Sequence, residues 1–288
     1  MSARFGGGVR TRRLRARVRP AGAALALLPL LLAGCISEKR EQALGDQIAA
    51  NVNARVPLVR DVPLNLYVNE LGGLIARHSA RPDVRYHFYI VDTDAVNAFA
   101  LPGGHIYVNR GLIERTSNVA ELAGVLAHEI GHVAARHGAK NLQRQMRTSS
   151  MSTLLYQTIL GRKPLLDQQA LQLGNQLWFA AHSRHDEAEA DRLAVGYLID
   201  TGVDPNGMLT LFDSLAHEEQ AAPDGTPAAA WFSTHPATAH RIEVTRARIA
   251  ELLPAHPREQ LATNNASYPL FLRRLYALPP PAPVFNLN

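Results

Sequence analysis

The chain of 288 residues contains a single cysteine, Cys35, so no internal disulfide can brace its fold. It has no excess of glycine or proline, 20 and 18 residues, which excludes a collagen-like or low-complexity polymer. With 47% apolar and 19% charged residues it can build a core, as one domain or two small ones. Acidic residues are missing from positions 1–34, which hold seven arginines, and the rest carries 23 basic and 25 acidic groups. The formal net charge of +5 therefore belongs to a leader, and a nucleic-acid binder is excluded. A long apolar run is also missing. The longest, 21–33, has 13 residues. As a helix it would rise about 20 Å against a hydrocarbon core of roughly 30 Å, too short for a membrane span.

A basic segment, 1–19, followed by that apolar run reads as a signal peptide over 1–34. Leu32-Ala33-Gly34-Cys35 resembles the bacterial lipobox, in which the thiol is acylated and cleavage leaves the cysteine as the new N-terminus. That resemblance implies a membrane anchor on Cys35. With Ile36 next, rather than the aspartate of inner-membrane retention, it implies the periplasmic face of the outer membrane. Arg12-Arg13 also offers a twin-arginine start, although Arg15 stands where an apolar residue is expected.

After the anchor, apolar spacing predicts helices over 36–52 and 62–78, broken around Pro57. Alternation predicts a strand over 85–91, and further strands at 95–101 and 105–108 flank the turn Pro102-Gly103-Gly104, giving a small antiparallel sheet. Asn118 and Glu121 have the spacing of a capping box at the head of a helix over 119–136. Further helices are expected over 143–160, 165–200, 206–217 and 238–253, with a break at 161–164 and a loop at 220–229. The tail after Pro254 carries a polyproline-like stretch at 279–283.

The chemistry is concentrated in His128-Glu129-Ile130-Gly131-His132. Residues four apart share a helix face, so His128 and His132 can present two imidazole nitrogens to one cation. Glu129 projects about 100° from His128, beside the cation and not on it, as a general base requires. A third ligand must come from elsewhere, because the positions three and six residues past His132 hold Ala135 and Gly138, with His137 one place off register. In the second long helix Glu187 and Asp191 are four apart, whereas Glu189 lies about 200° round from Glu187. Glu187 is expected to bind the metal and Asp191 to hold the free nitrogen of a ligand histidine.

These residues, with Asn97-Ala98-Phe99-Ala100-Leu101-Pro102-Gly103-Gly104, resemble the gluzincin metallopeptidases, the family of HtpX, the mitochondrial overlapping-activity peptidase and the CAAX prenyl proteases. The resemblance covers roughly 62–253 and is nearest to the family's soluble periplasmic lipoproteins, without the tetratricopeptide extension that some members carry. It implies an α+β, predominantly helical fold with zincin-type active-site helices, and a small antiparallel sheet whose edge strand binds substrate. It also implies one Zn2+ on His128, His132 and Glu187, with Glu129 as catalytic base. The strand at Asn97, Ala98, Phe99 and Ala100 would pair with an extended peptide. His235, in Thr234-His235-Pro236, would be either a latch on the open zinc position or a donor to the tetrahedral intermediate. Arg241 is either a salt-bridging helix residue or an oxyanion-side donor, the former fitting its helix better.

The organisation expected is a signal peptide at 1–34, a lipidated N-terminus with the first helix at 35–61, a metallopeptidase domain at 62–253, and a tail at 254–288, partly disordered. The function implied is a zinc-dependent endopeptidase acting on unfolded or misassembled envelope proteins. The alternative is a chaperone-like assembly factor with a latched or structural zinc site. No nucleic-acid partner is expected.

Overall fold

The computed structural model describes residues 36–148, 182–221, 227–236, 239–255 and 261–281. The described residues belong to one compact unit, Ile36–Asn288. Cys35, the leader, the helix break at 161–164 and most of the helix expected over 143–160 lie outside them, as do 165–181.

Helices α1 (Glu38–Asn53) and α2 (Val62–Arg77) form where the apolar spacing placed them. Asp61 caps α2 by accepting the Leu64 N–H at 3.1 Å, and Pro63 in the first turn gives up a donor that no helix start uses. The segment around Pro57 that separates them is extended. It lies along strand β1 (His87–Val91), with Val59 N–H donating to Ile90 O and Asp92 N–H to Pro57 O.

Strands β2 (Ala98–Leu101) and β3 (His105–Asn109) flank a single turn of 3-10 helix, Pro102–Gly104. Gly103 (φ 76°) and Gly104 (φ 93°) occupy left-handed backbone that a side chain disfavours. The expected antiparallel pairing holds for β2 with β3, but β1 runs parallel to β3, so the sheet is mixed with the order β1-β3-β2. The reason is connectivity: the tight turn makes β2 and β3 neighbours, and β1 joins the free side of β3 in the same direction. Central β3 is buried on both faces. Ile106 and Val108 enter the larger core, and Tyr107 enters a smaller one against Leu44, Ile48 and Val52 of α1.

Short helix α3 (Arg110–Ile113) leads into α4 (Val119–Ala134). Asn118 Oδ1 accepts the Glu121 N–H at 3.1 Å, while Glu121 Oε2 accepts the N–H of Ser117, one residue earlier than a strict capping box. Every residue from Val119 to Val133 is buried, since α4 runs between the sheet, α2 and the helices that follow. It ends at Arg136, whose φ of 59° turns the chain into α5 (His137–Thr148).

Helix α6 (Arg184–Asp200) crosses α4 at close range. A Cβ on Gly131 would stand 2.9 Å from the Ala190 carbonyl oxygen and 3.1 Å from Ala190 Cα, so the crossing is as tight as a bare glycine allows. Helix α7 (Asn206–Ala221) also packs on α4. Part of the loop expected over 220–229 is helical, because α8 (Pro227–Thr234) opens with proline and three alanines and is fixed by buried Trp231. Helix α9 (Ala239–Leu252) follows. Within the expected tail, α10 (Tyr268–Tyr276) buries Tyr268, Phe271 and Leu275 and stacks Phe271 on Tyr67 of α2 at 4.5 Å. Spacing of three, four and seven along a helix supplies that face.

Gly131→Ala should destabilise the protein by about 1–3 kcal/mol, because the new methyl pushes backbone against backbone. Gly196→Ala on α6, where a Cβ meets nothing within 4 Å, should stabilise it by about 0.5–1 kcal/mol. Urea unfolding of both variants separates a packing constraint from helix propensity, and equal effects would refute the tight crossing.

Candidate metal centre

Three elements bring the site together. Helix α4 carries His128, Glu129 and His132 on one buried stretch. Helix α6 brings Glu187 and Asp191, and starts where Ser183 accepts the Asp186 N–H at 3.1 Å. The turn after α8 brings His235. Its N–H donates to Trp231 O at 2.8 Å, and its ring stacks on the Trp231 indole at 4.4 Å.

One ligand atom from each of His128, His132, Glu187 and His235 lies within 4.8 Å of the others, all of them buried. His132 Nε2 stands 3.0 Å from His128 Nε2 and 3.2 Å from Glu187 Oε1, and His128 Nε2 stands 3.4 Å from Glu187 Oε2. His235 Nδ1 is 3.2 Å from Glu187 Oε1 and 3.3 Å from His128 Nε2. Four residues spread over more than 100 positions of the chain thus converge on one place.

Around this centre, Asp191 Oδ1 stands 2.9 Å from His128 Nδ1. Arg241 of α9 forks onto Asp191, with Nη2 donating to Oδ1 at 2.9 Å and Nε to Oδ2, while its Nη1 pairs with Glu187 Oε2 at 2.6 Å. Arg241 is therefore a salt-bridging residue of the site's wall. Glu129 is fully buried, and neither of its carboxylate oxygens has a hydrogen-bond partner among the described residues. The ionisable group beside it is His235, whose Nε2 lies 3.6 Å from Glu129 Oε1.

The electrostatics follow from this crowding. Burial opposes charge on Glu187, but the surrounding histidines outweigh it and hold the carboxyl well below its usual range. Burial likewise opposes charge on His128, yet Asp191 and Glu187 push its pKa up to about 9. His132, buried and next to His182, is held well below the usual imidazole range. Glu129 is pushed up by burial, which neighbouring His235 and His128 only partly offset. A carboxyl raised in this way is suited to taking and returning a proton.

Two imidazoles and a carboxylate are the donor set of a catalytic zinc site, and unpartnered Glu129 adds a buried carboxylate with an unmet need for a proton or a donor. The residues present therefore fit a zinc ion.

Of the sequence-derived candidates, the fold brings together His128, Glu129, His132, Glu187, Asp191 and His235. It also brings up β2, where His235 Nε2 lies 3.3 Å from the Ala98 carbonyl oxygen and Thr234 donates to Asn97 Oδ1 at 3.2 Å. Phe99 and Ala100 are half-buried, Phe99 stacked on Tyr107 at 4.8 Å. Cys35 lies outside the described residues. Sequence reasoning missed Trp231, His182 and His137. The His182 ring lies 4.0 Å from that of His132, tilted by 33°, and His137 Nδ1 reaches His132 Nδ1 at 2.9 Å. The surplus of histidines near the motif was the available signal, but no fixed spacing ties them to it.

Residues 64–249 match the model of peptidase family M48. The chain is 30% identical over 228 residues to the beta-barrel assembly-enhancing protease of Yersinia pestis, a match covering 77% of this chain and 46% of that protein. It is 33% identical over 193 residues to the mitochondrial metalloendopeptidase OMA1 of Schizosaccharomyces pombe, covering 67% and 54%. With the metalloprotease LoiP of Escherichia coli (strain K12) it shares 29% over 222 residues, covering 75% and 82%. The chain spans about half the length of the assembly-enhancing proteases it matches. The two-histidine helix, the glutamate that crosses it and the loop histidine all fall inside the matched span, and the chain belongs to peptidase family M48.

Proposed function

We propose that the chain is a zinc-dependent endopeptidase, and the observation that carries this reading is the buried, unpartnered Glu129 beside three convergent ligand groups. His128, His132 and Glu187 would hold one zinc ion, with Asp191 and Arg241 orienting His128 and Glu187. When bound, zinc supplies the Lewis acidity that polarises a peptide carbonyl and eases deprotonation of water. Glu129 accepts the proton of the attacking water and returns it to the leaving amine. Strand β2 is paired on one side only among the described strands, and its other edge faces the centre, where it can align an extended peptide by backbone hydrogen bonding.

Glu129→Gln should retain about one zinc per chain and abolish casein hydrolysis, because it removes the proton acceptor and leaves the ligands in place. Zinc analysis beside the cleavage assay checks this, and wild-type turnover in the variant would overturn the mechanism.

A latched resting state has its own support. His235 Nδ1 completes a four-ligand set and its Nε2 faces the Ala98 carbonyl, so one ring covers both the open metal position and the start of the substrate strand. His235→Ala should then raise hydrolysis without loss of zinc. A drop in turnover at unchanged zinc would instead make His235 a stabiliser of the tetrahedral intermediate. A chaperone-like assembly factor with a permanently closed site remains the second reading, which the same assay rejects if the variant cleaves.

For placement, the leader and lipobox of the sequence support attachment through Cys35 to the periplasmic face of the outer membrane. Among the described residues no helix is long and apolar enough to cross a membrane. Unfolded or misassembled envelope proteins are the proposed substrates, a reading helped by a relative named for enhancing β-barrel assembly. Cys35→Ser should shift the protein from the membrane fraction to the soluble one or leave it unprocessed. Unchanged fractionation would show that another element retains it.

A further inference from the structure

His137 begins α5 immediately after the left-handed turn at Arg136 and is completely buried. Its two ring nitrogens have different neighbours. Nδ1 lies 2.9 Å from His132 Nδ1, and Nε2 lies 3.2 Å from Glu189 Oε2, with Asp186 Oδ1 further off at 3.7 Å. We propose that His137 is a positioning residue for the metal ligand His132, and that Glu189, His137 and His132 form a hydrogen-bonded relay ending at the metal-facing nitrogen. The inference rests on the reading of His132 as a zinc ligand.

The direction of each bond follows from donor and acceptor chemistry. His132 turns Nε2 toward Glu187 and His128, so Nε2 is the nitrogen offered to the cation and the ring proton sits on Nδ1. That N–H needs an acceptor, and the nitrogen in reach is His137 Nδ1. His137 therefore carries its own proton on Nε2 and donates it to Glu189 Oε2. The opposite tautomer of His137 would set two N–H groups against each other and leave Glu189 facing a lone pair, a double loss in a buried place. Each atom thus has a single consistent role. The ring of His182, tilted by 33° with its centroid 4.0 Å away, packs against the same imidazole.

The two ligand histidines are consequently held by different means. Asp191 stands directly against His128 Nδ1, whereas the Nδ1 of His132 is linked to a carboxylate, Glu189, through an intervening imidazole. Glu189, on the opposite side of α6 from Glu187, acts at a distance that its helix position alone would not suggest.

The test is zinc affinity of the full-length protein, by competition with a chromophoric chelator, together with the visible spectrum of the Co2+-substituted protein. His137→Ala should weaken zinc binding about 10- to 100-fold and alter the cobalt spectrum, the usual scale for loss of a group supporting a ligand. His137→Asn keeps an acceptor near the Nδ1 position and should bind more tightly than His137→Ala. Glu189→Ala should weaken zinc less, about threefold to tenfold, while Glu189→Gln, which keeps an acceptor oxygen, stays near the unmodified value. In the double variant Glu189→Ala should add nothing to His137→Ala, because its effect travels through that ring. If His137→Ala does not fold, the contrast between the two Glu189 variants, at a partly exposed position, decides. Unmodified affinity in both alanine variants, or losses that multiply in the double variant, would overturn the relay. Absence of zinc binding by the unmodified chain would overturn the metal site itself, and the relay with it.

Discussion

The buried carboxylate of Glu187 is the constraint on which the rest of the centre depends. A lone carboxylate at that depth would cost several kcal/mol, so the fold must surround it with cationic or donor groups. Arg241 pairs with it at 2.6 Å, and His132 and His235 stand 3.2 Å from it on the side where the four ligands meet. The arginine also holds Asp191, which stands against His128. One guanidinium from α9 thereby fixes the third ligand and, through Asp191, orients the first.

That charge arrangement requires α4 and α6 to cross closely, which explains the packing beneath it. Gly131 sits one residue before His132 and gives the space in which Ala190, between Glu187 and Asp191, meets α4. A helix buried along its whole length is costly for a histidine or glutamate unless each finds a partner. His128 stands against Asp191 and His132 against Glu187, while neither oxygen of Glu129 accepts a hydrogen bond among the described residues. That buried carboxylate lies beside the convergent ligand groups, where the proposed mechanism needs a proton acceptor.

The ring of His235 links the metal position to the sheet. It is held by Trp231 from below, faces Glu187 with one nitrogen and the Ala98 carbonyl with the other. On the proposed latch, opening the site to a peptide and opening the fourth ligand position would be the same movement.

Much of this was legible in the chain itself. Residues four apart lie on one face of any α-helix, so His128, His132, Glu187 and Asp191 could be placed before any tertiary contact was known. The cap at Asn118 marks a helix start because its short polar side chain satisfies an N–H group that the helix cannot, whereas the start of α6 after Ser183 falls inside the helix expected over 165–200. The parallel course of β1 beside β3 could not be read, since alternation fixes which residues face the core and says nothing of strand direction or order. Nor could the roles of His137, His182 and Trp231, which depend on contacts across a helix turn or between separate elements and leave no periodic trace. Local spacing picked out His128, His132 and Glu187 as candidate ligands of the centre. Only the crossing of α4 and α6 and the return of the His235 turn decided how they are charged, held and covered, because electrostatics and packing act through space and not along the chain.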